Sequence, residues 1–185
     1  MAEKLVIISD MWGSKQGLWI TSYLGYLQQY YDIEYYDSQQ LANIDLLVNT
    51  KENIHKAFVD GGIEVAAEHL LKRSKEASHY LAFSVGGSIV WKAALKGLPV
   101  KSMYLVSSTR LRFEEKKPDA PVTVLCGGRD PYAPGNDWTK KMNLEMQVAK
   151  KFGHSLYSDE MMIQKICLDL LRNVTQVDVP KRKVV

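Results

Sequence analysis

The sequence is poor in the residues that would staple or stiffen an unusual fold. Only two cysteines occur, Cys126 and Cys167, and neither lies in a Cys-x-x-Cys pair, which excludes a disulfide framework and leaves both as small core residues of a reducing compartment. No His, Cys or carboxylate cluster has metal-ligand spacing, so neither a metal nor an organic cofactor is expected. Proline is scarce, with 6 in 185 residues, and no repeat or low-complexity segment appears. Long apolar runs are missing too. Nothing approaches the ~20 residues of a membrane span, and Leu5 to Ile8 is too short for the apolar part of a signal peptide. The expectation is a cytoplasmic protein with no membrane partner. Charge of one sign is equally lacking: 24 Lys and Arg against 21 Asp and Glu leave a net +3, and the signs alternate along the chain. No one-sided basic face exists for a phosphate backbone, which argues against nucleic acid as a partner.

What is present is a globular composition, 46% hydrophobic and 24% charged. A chain of this length buries close to ~70% of its unfolded surface, enough for one core, and a single domain is expected over residues 1–175. A polar tail follows at 176–185, with a local excess of charge at Lys181-Arg182-Lys183. Short β-branched runs alternate with longer helical patterns, the signature of an α/β protein with a mostly parallel sheet covered by helices on both faces. Six strands are expected: Lys4 to Ser9, Ile33 to Tyr36, His79 to Phe83, Ser102 to Val106, Val122 to Cys126, and Asn143 to Ala149 at an edge. Helical patterns cover Lys15 to Tyr30, Asn53 to Phe58, Ile63 to Ser74, Ile89 to Lys96, Asn136 to Met142 and Asp159 to Arg172.

Three short segments at strand ends carry chemistry. Ala82-Phe83-Ser84-Val85-Gly86 places a serine at a sharp strand-to-helix turn with small residues two positions before and after it, and Gly87 permits close packing of the helix that follows. Here the chain resembles the α/β-hydrolase family, whose nucleophile turn is written Gly-x-Ser-x-Gly, with Ala82 standing for the first glycine. Asp130, in Gly128-Arg129-Asp130-Pro131 after the fifth strand, is similar to the family's acid turn. His154, in Phe152-Gly153-His154-Ser155, is similar to its Gly-His turn. The resemblance implies a minimal version of that fold, with six strands, no leading hairpin, and a plain loop from Val106 to Pro121 where a lid is commonly inserted.

The residue types suit acyl transfer. A serine is a poor nucleophile until a base takes its proton, an imidazole can do so near neutrality, and a carboxylate can hold that ring in the right tautomer. Ser84, His154 and Asp130 are the expected catalytic residues. Asp137 and Asp119 are open alternatives for the acid; His55, His69 and His79 are read as structural or solvated. The resemblance also implies two oxyanion donors, the backbone N–H groups of Val85 and Trp12. The loop Asp10-Met11-Trp12-Gly13 lacks the usual His-Gly pair but is similar to the His-Gly-Trp-Gly loop of the biotin-pathway esterases, which demethylate a pimeloyl ester held on acyl carrier protein. The expected function is hydrolysis of a small ester or thioester, with a carrier-protein methyl esterase or acyl-thioesterase as the runner-up. The rival of another class is a binding protein that keeps the fold without turnover.

Overall fold

In the computed structural model, which describes residues 2–175, strand β1 (Glu3–Ile8) shows why the sheet is buried on both sides. Leu5, Val6, Ile7 and Ile8 are all fully buried, yet they divide by parity between two cores, as the two-residue period of a strand requires. Val6 and Ile8 join one core with Tyr80, Ala82, Leu105, Val124 and Cys126. Leu5 and Ile7 join the other with Leu81, Phe83, Val106 and Leu125.

The remaining strands are β2 (Tyr31–Tyr36), β3 (Ser78–Phe83), β4 (Val100–Val106), β5 (Val122–Gly127) and β6 (Met146–Ala149). They form one sheet of six strands in the order β2-β1-β3-β4-β5-β6, and every pairing is parallel. Parallel pairing places all carboxyl ends on one edge, where loops from several strands converge. Helices α1 (Ile20–Leu27) and α7 (Glu160–Thr175) cover one face. On the other lie α2 (Ser38–Leu41), α3 (Lys51–Ala57), α4 (Ile63–Arg73), α5 (Val85–Leu95) and α6 (Asn136–Met142).

Several boundaries differ from expectation for local reasons. The helix expected over Lys15 to Tyr30 is a 3-10 turn at Gly13–Gln16 followed by α1, because Gly13 takes φ +63° and Gly17 packs so closely that a Cβ there would lie 2.9 Å from Gly13 O. The α2 turn was absent from the sequence reading; Asp37 caps it by accepting from the Gln39 and Gln40 N–H groups. The helix after Ser84 starts at Val85 rather than Ile89. Strand β6 starts late because Asn143 adopts the left-handed cap of α6. Between β4 and β5 a 3-10 turn, Thr109–Phe113, stands in the expected loop. The tail at 176–185 lies outside the described residues.

Backbone packs closely where β3 hands over to α5. A Cβ on Gly86 would come 2.6 Å from Ser9 O and 2.9 Å from Ile8 O, both rigid backbone atoms, whereas one on Gly25 of α1 would meet nothing within 4 Å. Gly86→Ala should therefore cost about 1–3 kcal/mol through overpacking, while Gly25→Ala should gain about 0.5–1 kcal/mol from helix propensity. Urea unfolding of the two variants checks this; equal effects would mean that the crossing at Gly86 can relax.

Candidate active site

Ser84 occupies the turn between β3 and α5 with φ 51° and ψ −116°, a conformation that costs a non-glycine residue on the order of 1–3 kcal/mol. The surroundings hold it there. Its N–H donates to Val106 O at 2.8 Å, Gly86 lets α5 lie against the end of β1, and a Cβ on Gly87 would overlap Ser108 Oγ at 1.9 Å. Ala82 is fully buried between Ile8 and Leu105, its register partners, so a methyl group fits where the family pattern has glycine.

Asp130 and His154 are brought together by an equally close backbone contact. A Cβ on Gly127 would lie 2.3 Å from Gly153 O and 2.4 Å from Phe152 O, so the turn after β5 and the turn after β6 touch directly. Two hydrogen bonds lace them, Gly128 N–H to Ala149 O at 2.9 Å and Arg129 N–H to Phe152 O at 2.9 Å, and the Asp130 N–H closes its own turn on Gly127 O at 3.1 Å. The Asp130 side chain is fully buried. Its Oδ1 accepts from the Tyr132 N–H at 3.1 Å, and its Oδ2 stands 2.7 Å from His154 Nδ1. His154 Nε2 in turn stands 3.0 Å from Ser84 Oγ. With Nδ1 donating to the carboxylate, Nε2 is left as the acceptor for the serine proton. The ring is 39% exposed and borders an open depression of about 560 Å³ lined by Lys151, Phe152, Gly153, Ser155 and Asp159.

The alternatives lie elsewhere. Asp137 is exposed in the first turn of α6, and Asp119 is exposed on the loop before β5. His55 is exposed on α3, His69 Nδ1 contacts Leu41 O at 2.8 Å, and His79 Nδ1 contacts Ser102 Oγ at 2.7 Å. Among the described residues no group of three or more His, Cys, Asp or Glu could hold a metal ion, and no helix is long and apolar enough to cross a membrane.

The two expected oxyanion donors differ. The Val85 N–H opens α5 and has no intrahelical acceptor, so it is available beside Ser84. The Trp12 N–H is engaged: it donates to Asp10 Oδ1 at 3.0 Å, the short loop that an aspartate makes with the second residue after it. Its loop is pinned from below by Asp37, whose Oδ2 accepts from the Ser14 N–H at 2.6 Å and the Ser14 hydroxyl at 2.8 Å. A Cβ on Gly13 would collide with that carboxylate at 2.3 Å.

Asp10 itself escaped the sequence reading. It is 4% exposed, and its Oδ2 accepts from the Tyr157 hydroxyl at 3.0 Å. Tyr157 lies on the turn that begins with His154 and packs against Phe83 and Trp19. The carboxylate thus ties the loop after β1 to the turn bearing the imidazole. The available signal was an aspartate directly after an apolar strand, where the family's pattern has His-Gly.

No protein-family model and no curated protein matches the chain in sequence. Solved structures do match it in shape. Dienelactone hydrolase from Anabaena variabilis superposes with a TM-score of 0.64 at 15% identity, covering 95% of this chain and 86% of that one. Alpha/beta hydrolase domain-containing protein 10 from mouse gives 0.65 at 9% identity, covering 94% and 90%. MGS-MChE2, an alpha/beta hydrolase enzyme from a lagoon-sediment metagenome, gives 0.63 at 15% identity, covering 94% and 91%. The chain shares their fold.

Burial raises the Asp10 pKa above its ordinary value of 3.8, against the hydrogen bonds from Tyr157, Trp12 and Gly13 and the nearby His154. Ionisation therefore costs the folded state more than the unfolded chain. That cost is absent below about 3.8, grows as the pH rises through the raised folded value, and is complete above it. Asp10→Asn, which keeps the shape without the charge, should raise Tm at neutral pH, and the gain should shrink to nothing in acid. A Tm difference that stays constant from neutral pH into acid would contradict the penalty.

Proposed function

From an α/β-hydrolase fold that carries Ser84, His154 and Asp130 in one hydrogen-bonded line, we propose that this chain is a serine hydrolase acting on a carboxylic ester or thioester. The observation that carries the reading is that line, 3.0 Å from Ser84 Oγ to His154 Nε2 and 2.7 Å from His154 Nδ1 to Asp130 Oδ2. A binding protein needs none of this geometry.

In the proposed reaction Ser84 Oγ attacks the ester carbonyl while its proton passes to His154 Nε2. The imidazolium returns that proton to the departing alcohol or thiol, leaving an acyl-serine, and a water activated by the same ring then releases the acid. Asp130 stays ionised, fixing the tautomer and stabilising the imidazolium. The Val85 N–H is one donor to the oxyanion. The Trp12 N–H serves as the second only when the substrate oxygen takes it from Asp10, so this loop is where ground state and transition state differ.

Ser84→Ala should abolish ester hydrolysis, since the nucleophile is gone and the buried core is untouched. Asp130→Asn should lower kcat by on the order of 10⁴ by favouring the wrong tautomer, while Asp137→Asn should cost little. Steady-state kinetics on a p-nitrophenyl ester checks both; turnover retained in Ser84→Ala would remove the assignment and favour the binding reading, and the reverse ranking of the aspartates would move the acid to α6.

A second expectation concerns chain length. Only the 3-10 turn Thr109–Phe113 and its flanks join β4 to β5, so no inserted domain buries an acyl chain and little remote binding energy is on offer. Short p-nitrophenyl esters should be cleaved at least as well as long ones. A strong preference for long free acyl chains would contradict the open site.

A further inference from the structure

The turn that replaces a lid carries two arginines in an unusual setting. Arg112 sits over the Phe113 ring at 4.2 Å and over the Tyr132 ring at 5.5 Å, and Arg110 also sits over the Phe113 ring at 5.0 Å. Phe113 and Tyr132 are 58% and 63% exposed, so two guanidiniums and two aromatic rings form one surface at the carboxyl edge of the sheet. Cation–π contacts are worth about 0.5–1 kcal/mol each at exposed sites, and three of them hold the two like charges on this surface.

The surface is built rather than incidental. Leu111 between the arginines is fully buried. The chain just beyond is anchored by two indoles, Trp138 Nε1 donating to Glu114 O at 3.1 Å and Trp91 Nε1 to Lys116 O at 3.0 Å. Arg112 Nη1 donates to Thr109 O at 2.7 Å and Tyr132 O at 3.2 Å. Tyr132 is also the residue whose N–H donates to Asp130, and the turn begins one residue after Ser108, which packs on Gly87. The arginine surface is therefore joined to both the acid turn and the nucleophile turn.

Its charge is left open. The acidic side chains nearest in sequence are taken by lysines, Glu114 by Lys92 at 3.3 Å and Glu115 by Lys141 at 3.8 Å. Among the described residues Arg110 has no ion pair and no hydrogen-bond acceptor for its guanidinium, which lies over the Phe113 ring. Half-burial and then Arg112 both weigh against its charge, with only Glu114 in its favour. On the opposite side of Ser84, after β1, stands the Asp10 carboxylate, so the site is polarised from an anionic β1 side to a cationic β4 side.

We propose that Arg110 and Arg112 form an anion subsite beside Ser84 and that the ester cleaved there carries a carboxylate. One free planar fork matches one planar monoanion, and the charge gradient orients the substrate with its carboxylate toward β4. The substrate class rests on the hydrolase reading; the anion subsite does not.

Binding without turnover tests it. Calorimetry on the Ser84→Ala protein should find monoethyl succinate bound roughly tenfold or more tightly than neutral diethyl succinate, with the preference weakened by salt. Arg110→Gln in that background should erase the preference, and Arg110→Lys, which keeps the charge but loses the fork, should restore part of it. Equal binding of the two esters, or a preference indifferent to Arg110→Gln in a protein with native circular dichroism, would overturn the subsite. Inorganic phosphate bound more tightly than the monoester would overturn the carboxylate assignment. Failure of the wild-type protein to hydrolyse monoethyl succinate would instead count against the hydrolase reading and leave the binding result standing.

Discussion

The close approach of backbone at Gly86 is the constraint on which the site depends. With no side chain there, α5 begins directly against the carbonyls that end β1, and the chain must turn so sharply that Ser84 is left at φ 51°. A residue in that conformation projects from the edge of the sheet instead of lying along strand or helix. The strain is sustained because the turn is fixed from three sides, by β1 through Gly86, by β4 through the Ser84 N–H, and by the Ser108 segment through Gly87. The same device recurs at Gly127, where loss of a side chain lets the turns of Asp130 and His154 meet. Glycine contacts at Gly86, Gly87 and Gly127 thus place three side chains from three strand ends in one line.

Electrostatics around that line is uneven. Asp130 lies buried and points all its charge at one imidazole and one N–H. Asp10, also buried, holds the Trp12 N–H and the Tyr157 hydroxyl. A negative group hydrogen-bonded to an expected oxyanion donor opposes the charge that develops in acyl transfer, so the loop after β1 is poised between two acceptors. The arginines after β4 act in the opposite sense. At Asp10 the buried charge weighs against folding and, in the proposed reaction, against the oxyanion as well.

Much of this was legible in the sequence, for reasons that differ by element. The strands showed because continuous apolar runs such as Leu5 to Ile8 occur where both faces are covered. The serine, acid and histidine turns showed because small residues flank them, and the two that form glycine contacts now explain why those residues are small. Contacts between distant segments did not show. Asp10 and Tyr157 are 147 residues apart, and nothing periodic marks a carboxylate that a remote hydroxyl will satisfy. The engagement of the Trp12 N–H was hidden for the same reason. The arginine surface leaves no mark in the local sequence because its order comes from the indoles of Trp91 and Trp138, which sit on two other helices. The break at Gly17 was overridden by a helical period that runs straight through it.

The central claim is that Ser84 is an activated nucleophile, and covalent capture reads this without knowledge of the substrate. The native protein treated with a fluorophosphonate probe should gain the mass of one phosphonyl group, mapped by peptide mass spectrometry to Ser84. The adduct should be absent after Ser84→Ala and much slower to form after Asp130→Asn. No adduct on the folded protein, or one on another residue, would contradict the account.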